Sequence, residues 1–407
     1  MASLKLLENM KEGFIKLRKE VREELVTNIL PFWMNNMVDE NHGGFFGRIT
    51  GGDETIPGAP KGAILNARIL WTFSSAAIHL NDLQYIIYAQ RAKDYILQYF
   101  FDNENGGTYW MLNANGSPAE TKKQIYSQAF FIYALVEYYR ATGDKSALAK
   151  ALELYELIEK YSFDEENNGY LEAYSKDWEL LDDLRLSSKD ANEKKTMNTH
   201  LHILEAYTNL YRVYKDEMLE LRLKNLIILF LDKIINARTH HLDLFFDEDW
   251  NCKSTLVSYG HDIEASWLLE EAALVLGDKL LLNRVRIESV SIANAAAQGV
   301  QANGAMINEK DYATGHTDAN CDWWAQAEAI VGFFNVWEKT NNDSFAFIVL
   351  SNWSFTKKYL IDHVNGEWHW AVKTNGENDH KGDKAGFWKC PYHNSRMCLE
   401  IMDRIKE

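Results

Sequence analysis

Apolar residues recur along this chain at helical spacing. Ala63, Leu65, Ile69, Leu70 and Phe73 would fall on a helix, as would Phe130, Ile132, Leu135, Val136 and Tyr139. Ile203, Leu204, Tyr207, Leu210 and Tyr211 repeat the pattern. Between such stretches comes a polar punctuation: an Asp/Asn-rich turn, a Gly, then two or three aromatic or β-branched residues. It reads Asp-Glu-Asn-His-Gly-Gly-Phe-Phe from Asp39, Asp-Asn-Glu-Asn-Gly-Gly-Thr-Tyr-Trp from Asp102 and Asp-Glu-Glu-Asn-Asn-Gly-Tyr-Leu from Asp164. Fainter copies begin at His240, Gly299 and Val364, the first of them without a Gly. The motif returns roughly every sixty residues, which makes six copies. Each unit has room for two helices and a turn, and is too small to bury its own apolar face. The pattern predicts an all-α (α/α)6 barrel. Six helical hairpins would close into one ring over residues 1–407, a single domain with short β-hairpins at one end and a central cavity.

Composition sharpens this picture. The hydrophobic fraction of 46% fits a large core, and 13 Trp among 13% aromatics exceed what a core needs. Indole faces stack on the C–H face of a pyranose, although large wedges between big helices would use Trp equally well. A net charge of −16 repels a phosphate backbone and argues against nucleic acid or an anionic membrane as partner. Cys252, Cys321, Cys390 and Cys398 form no C-x-x-C pair, so reduced thiols are expected and a structural zinc is not. The first residues are amphipathic and carry both charges, unlike a signal peptide. The apolar run at Leu226–Leu231 is too short to span a bilayer. A cytoplasmic monomer follows as the expectation.

Polar residues embedded in the apolar helices mark where a cavity would carry chemistry. Asn198 and His202 stand four apart on one helical face, with Glu205 a turn on and His200 pointing elsewhere. His261 and Glu264 are three apart, so the carboxylate could orient the imidazole and raise its pKa. Trp267 follows three residues later, where it could floor a ligand. Trp324 and Glu328 are four apart and suggest a stacking platform beside an acceptor for sugar hydroxyls. Gly386-Phe-Trp-Lys-Cys-Pro-Tyr-His-Asn-Ser-Arg reads as a loop entering the last helix, with Trp388 and His393 as candidates. Arg68 sits in the first apolar helix and needs a partner, either a substrate oxygen or a carboxylate. His202, His261 and His393 could in principle make a three-histidine zinc site, but no local spacing demands one. There is no phosphate loop, no G-x-S-x-G and no nicotinamide fingerprint.

Four segments together resemble the cellobiose 2-epimerases, a branch of the N-acylglucosamine 2-epimerase superfamily. They are Asn-Thr-His-Leu-His-Ile-Leu-Glu-Ala from Asn198, Gly-His-Asp-Ile-Glu-Ala-Ser-Trp-Leu-Leu from Gly260, Trp-Trp-Ala-Gln-Ala-Glu-Ala from Trp323 and Trp-Lys-Cys-Pro-Tyr-His from Trp388. The resemblance spans nearly the whole chain, and Asp262 after the Gly-His favours the cellobiose branch. It implies an (α/α)6 barrel that uses no metal or nucleotide cofactor and inverts C2 of the reducing-end glucose in β-1,4-linked disaccharides. Matched by motif, His261 and His393 would be the acid/base pair. His202 would serve ring opening and polarise the C1 oxygen, and Glu264 would support His261. Arg68, Tyr126, Asp190, Asn198, Trp267, Trp324, Glu328 and Trp388 would line the cavity and bind substrate. Rival expectations are an N-acylglucosamine or monosaccharide epimerase, or an aldose–ketose isomerase, of the same superfamily. An inverting glycosidase with two of Asp190, Glu264 and Glu328 as its carboxylates is another, and a non-enzymatic sugar-binding or protein-interaction scaffold the last.

Overall fold

The computed structural model describes residues 2–406. Outer and inner helices alternate along the chain. The outer pair α1 (Ala2–Glu24) and α2 (Leu30–Asn36) precedes the inner α3 (Ala63–Leu80). Then come outer α4 (Gln84–Tyr95), inner α5 (Ile125–Thr142), outer α6 (Lys145–Tyr161) and inner α7 (Met197–Val213). Outer α8 (Glu217–Leu229), inner α9 (Tyr259–Leu276), outer α10 (Lys279–Ala296), inner α11 (Trp323–Thr340), outer α12 (Asp343–Tyr359) and inner α13 (Tyr392–Arg404) complete the series. Each inner helix packs on the next, and α13 packs back on α3, so the inner ring is closed. Each of the outer helices α1, α4, α6, α8, α10 and α12 lies against an inner one, with α1 on α13. This is the (α/α)6 barrel that the repeat predicts, and the three helical stretches read from spacing fall within α3, α5 and α7.

Local sequence explains the two layers. In α3 every residue from Ala63 to Ala77 is buried, as expected of a helix that is apolar on all sides. The outer helices keep an exposed polar face, and four of them start on a side-chain cap from Asp144, Asp216, Asp278 or Asn342. Most inner helices have no such cap. Their first N–H groups instead donate to carbonyls just ahead of the paired strand one repeat on, as Ala63 does to Trp110, Ile125 to Glu172 and Trp323 to Trp370.

The recurring turn follows the outer helices. Asp39, Asp102, Asp164 and Asp362 each turn Oδ1 onto two backbone N–H groups just ahead. Their Oδ2 atoms take the buried Lys61, Lys123, Lys195 and Lys384. Gly169 adopts φ +88°, and a Cβ there would stand 2.4 Å from Trp250. In the copy without Gly, His240 itself takes φ +59°. Asp262 secures that copy from α9, accepting from Leu242 N–H at 2.8 Å and meeting His241 Nδ1 at 2.6 Å.

The strands are two or three residues long. Met111–Leu112 with Pro118–Glu120 and Glu309–Asp311 with Thr317–Asp318 form short hairpins of the expected kind, and further pairing links one repeat to the next. The strand before an inner helix pairs antiparallel with a strand one repeat on: Lys61–Gly62 with Met111–Leu112, Lys123–Gln124 with Ala173–Tyr174, Lys195–Thr196 with Phe245–Phe246. Leu256–Ser258 with Glu309–Asp311 and Cys321–Asp322 with Ala371–Val372 continue the series. A bridge from Ile49 to Ala385 closes the circle. All six inner helices therefore begin at this strand-bearing pole, and their N-termini converge on it. Among the described residues no helix is long and apolar enough to cross a membrane.

Candidate active site

A cavity of about 410 Å³ opens at the strand-bearing pole. Asn198, at the start of α7, Trp324, at the start of α11, and His261, in the first turn of α9, form part of its wall. Asp190 lies there too, on the loop before α7, where its carboxylate accepts from Ser187 N–H at 2.8 Å. The Asn198 side-chain oxygen is buried without a protein partner. Glu309, Asp318 and Asp322 make one wall acidic, and burial beside the other two pushes Asp322 up to about 7.

The Trp324 indole touches both candidate imidazoles. Its ring centroid lies 4.7 Å from that of His261 and 5.8 Å from that of His393, in the first turn of α13. Residues far apart in the chain thus meet around one ring. His202, like His393, is not among the residues that line this cavity; its ring lies 4.9 Å from that of Tyr126. Arg68 donates to the Tyr126 hydroxyl at 3.1 Å, and Trp388 stands edge-on to Tyr126 at 6.0 Å.

The three histidines are held differently. His393 Nδ1 faces Glu328 Oε1 at 2.7 Å, and His202 Nδ1 faces Glu205 Oε2 at 2.9 Å. His261 Nδ1 meets the Ser258 hydroxyl at 2.8 Å. An ionised carboxylate only accepts, so beside one the imidazole carries its proton on Nδ1 and offers the Nε2 lone pair. A hydroxyl both donates and accepts, so His261 can present either tautomer. Burial pushes His261 and His393 down to about 3, and His202 well below the usual imidazole range, so all three rest neutral.

Arg396, one turn beyond His393 on α13, organises the floor. It donates to Glu264 and to Glu328 at 2.6 Å each, and also reaches Glu205 and the Tyr392 hydroxyl. Three expectations change here. Glu264 does not hold His261; it grips Arg396 and stands 4.0 Å from His393, and burial raises it to about 8. Glu328 is not a free acceptor, because His393, Arg396 and the Trp267 indole N–H already converge on it. Trp267 is 1% exposed and packs beneath Glu328 and Arg396 rather than flooring the cavity. Arg396 was missed in the sequence, although its three-residue offset from His393 was a usable signal.

Arg68 has no carboxylate partner among the described residues. Its guanidinium lies over Phe130 at 4.4 Å and Tyr392 at 4.8 Å, and its buried Nε is unpaired. Such a cation is available to an oxyanion. Glu264, Glu328 and His393 bring ligand-type atoms within 4.8 Å of one another, yet both carboxylates close on Arg396, so a guanidinium fills the place of a cation.

The N-acylglucosamine 2-epimerase (GlcNAc 2-epimerase) family profile matches residues 44–395. A cellobiose 2-epimerase of Bacteroides fragilis is 53% identical over 386 residues, covering 95% of this chain and 98% of the relative. One from Dictyoglomus turgidum is 38% identical, covering 96% and 99%. The solved cellobiose 2-epimerase of Bacillus thermoamylovorans superposes with a TM-score of 0.92 at 41% identity, covering 96% of this chain and 99% of the other.

Proposed function

The chain belongs to the N-acylglucosamine 2-epimerase family, and we propose that it inverts C2 of the reducing-end glucose of β-1,4-linked disaccharides. Cellobiose would become glucosyl-mannose and lactose would become epilactose. The observation that carries this reading is the pair of neutral imidazoles on one indole, His261 and His393, each with Nδ1 engaged and Nε2 without a protein partner among the described residues. The cavity extends from His261 towards Asp190 and Asp318, which leaves room for a second sugar ring.

Abstracting the C2 proton requires an open-chain aldehyde, a base, and stabilisation of the enediolate. The reducing-end ring opens beside His202. One of His261 and His393 removes the C2 proton, and after rotation about C2–C3 the other returns a proton to the opposite face. The negative enediolate raises the proton affinity of the imidazoles around it, so the second takes up a solvent proton and becomes the imidazolium needed for return, and the first later releases the abstracted proton to solvent. Glu328 stabilises that cation on His393. Arg68, His202 and the converging N-termini of the inner helices stabilise the oxyanion. Return of the proton to C1 instead gives a ketose as a minor product.

Incubation with cellobiose, followed by NMR, tests the reading. A mannose-containing disaccharide is expected; released glucose means a hydrolase, and no conversion refutes the proposal. In D₂O the product should carry deuterium at C2. His261→Asn and His393→Asn should each lose about 10²–10⁴-fold in turnover while folding survives; near-normal turnover in either refutes the two-base assignment.

A further inference from the structure

The barrel has a second cavity at the pole opposite the sugar mouth, of about 270 Å³. Side chains one turn apart line it, among them Trp71 and Ser75 of α3, Glu137 of α5 and Thr208 of α7. Its rim includes the exposed Arg212 and Asp403, and its wall includes Glu205 and Arg396, the groups that form the floor of the candidate active site. Glu205, in this wall, meets the imidazole of His202 directly.

Two buried donors in this wall have no protein acceptor, Trp71 Nε1 and Arg396 Nε. Carboxylates outnumber guanidinium groups around them, and the C-terminal ends of the inner helices point this way, so an anion is disfavoured. A neutral acceptor fits, and the volume accommodates several waters at about 30 Å³ each. Glu205 meets His202 Nδ1 through Oε2 at 2.9 Å, while Oε1 takes Arg396 and Tyr392.

We propose that this cavity holds a file of ordered water that exchanges protons between bulk solvent and Glu205, and through Glu205 with His202. The proposal rests on the sugar-epimerase reading. On ring opening the C1–O5 bond breaks, C1=O1 forms, O1 loses a proton and O5 gains one. His202 Nε2 takes the O1 proton while Nδ1–H passes its own to Glu205, which hands it to the water file and so to bulk. A solvent proton entering at the mouth reaches O5, and ring closure reverses each transfer. Proton traffic for ring opening therefore leaves by the back of the barrel, while the sugar fills the front. Burial raises the Glu205 pKa, which brings it nearer to a group that can both hold and release a proton.

The test separates ring opening from C2 chemistry. A single anomer of cellobiose is dissolved with enzyme, and anomerisation is followed by NMR. Ser75→Leu and Thr208→Leu fill the cavity without touching the sugar. Each should slow enzyme-catalysed anomerisation by about tenfold or more with disaccharide affinity unchanged. Undiminished anomerisation in a folded variant whose crystal structure shows the cavity filled overturns the relay and leaves the epimerase reading intact. A wild-type enzyme that does not accelerate anomerisation overturns the ring-opening reading, and the relay with it. Should both variants fail to fold, a high-resolution crystal structure of the wild type decides. Waters bonded to Trp71 Nε1 and Arg396 Nε support the file, and a dry cavity excludes it.

Discussion

His261 and His393 differ in what holds their inner nitrogen, and that difference sets what each can do with a proton. Glu328 commits His393 to one tautomer, whereas Ser258 leaves His261 free to switch. Both rings are neutral down to about pH 3 because burial disfavours their charge. A base must be unprotonated, so kcat/KM should hold through pH 6.5, the usual imidazole value, and fall only on further acidification. An acid limb centred at the ordinary value in the pH profile would show that solvent reaches the rings. Arg396 is the other decisive residue, since it bonds three glutamate carboxyl groups at once. Arg396→Met leaves them facing one another and should cost about 3–5 kcal/mol, read by urea unfolding. The imidazoles were legible in the sequence because a charged or polar side chain stands out in an apolar helix. Their partners were not. Glu264 and His261 share a helix, but a carboxylate follows the strongest cation within reach, and Arg396 arrives from across the ring.

At the scale of elements, the start of α7 shows how the mouth is kept in shape. Glu172, on the strand side, accepts from Thr196 N–H at 2.8 Å and the Thr199 hydroxyl at 2.5 Å, and so fixes the turn that carries Asn198 and His202. Burial raises its pKa to about 8. A raised carboxyl pKa stabilises fully below 4.5, the unfolded value, and that contribution is lost as pH rises through about 8. Thermal melts should therefore show the wild type losing ground to Glu172→Gln across this interval. Glu172→Ala leaves two donors unsatisfied and should cost about 1–3 kcal/mol for each. Helix positions were readable from spacing alone. The pairing of strands between repeats was not, because two-residue strands carry no period, and the strand before an inner helix finds its partner one repeat away.

For the whole molecule, closure matters more than any single hairpin. The inner ring returns through α13 on α3, and the strand circle through Ile49 and Ala385. A chain ending at Pro391 loses α13 and exposes the apolar flanks of both neighbours. It should fail to give a soluble folded product, whereas the full chain should melt in one transition by calorimetry. Six copies of a turn made this ring foreseeable, since a repeat of one hairpin has to bury its face on the next. The common direction of the inner helices was not foreseeable, and it has a consequence of its own. Acids, bases and the guanidinium floor are mounted on the staves, while the funnel above is built from connecting segments that all start at one rim. Lengthening or trimming those segments reshapes which saccharide can enter and leaves the proton-handling groups where they stand. Selectivity and reactivity can thus be altered one at a time.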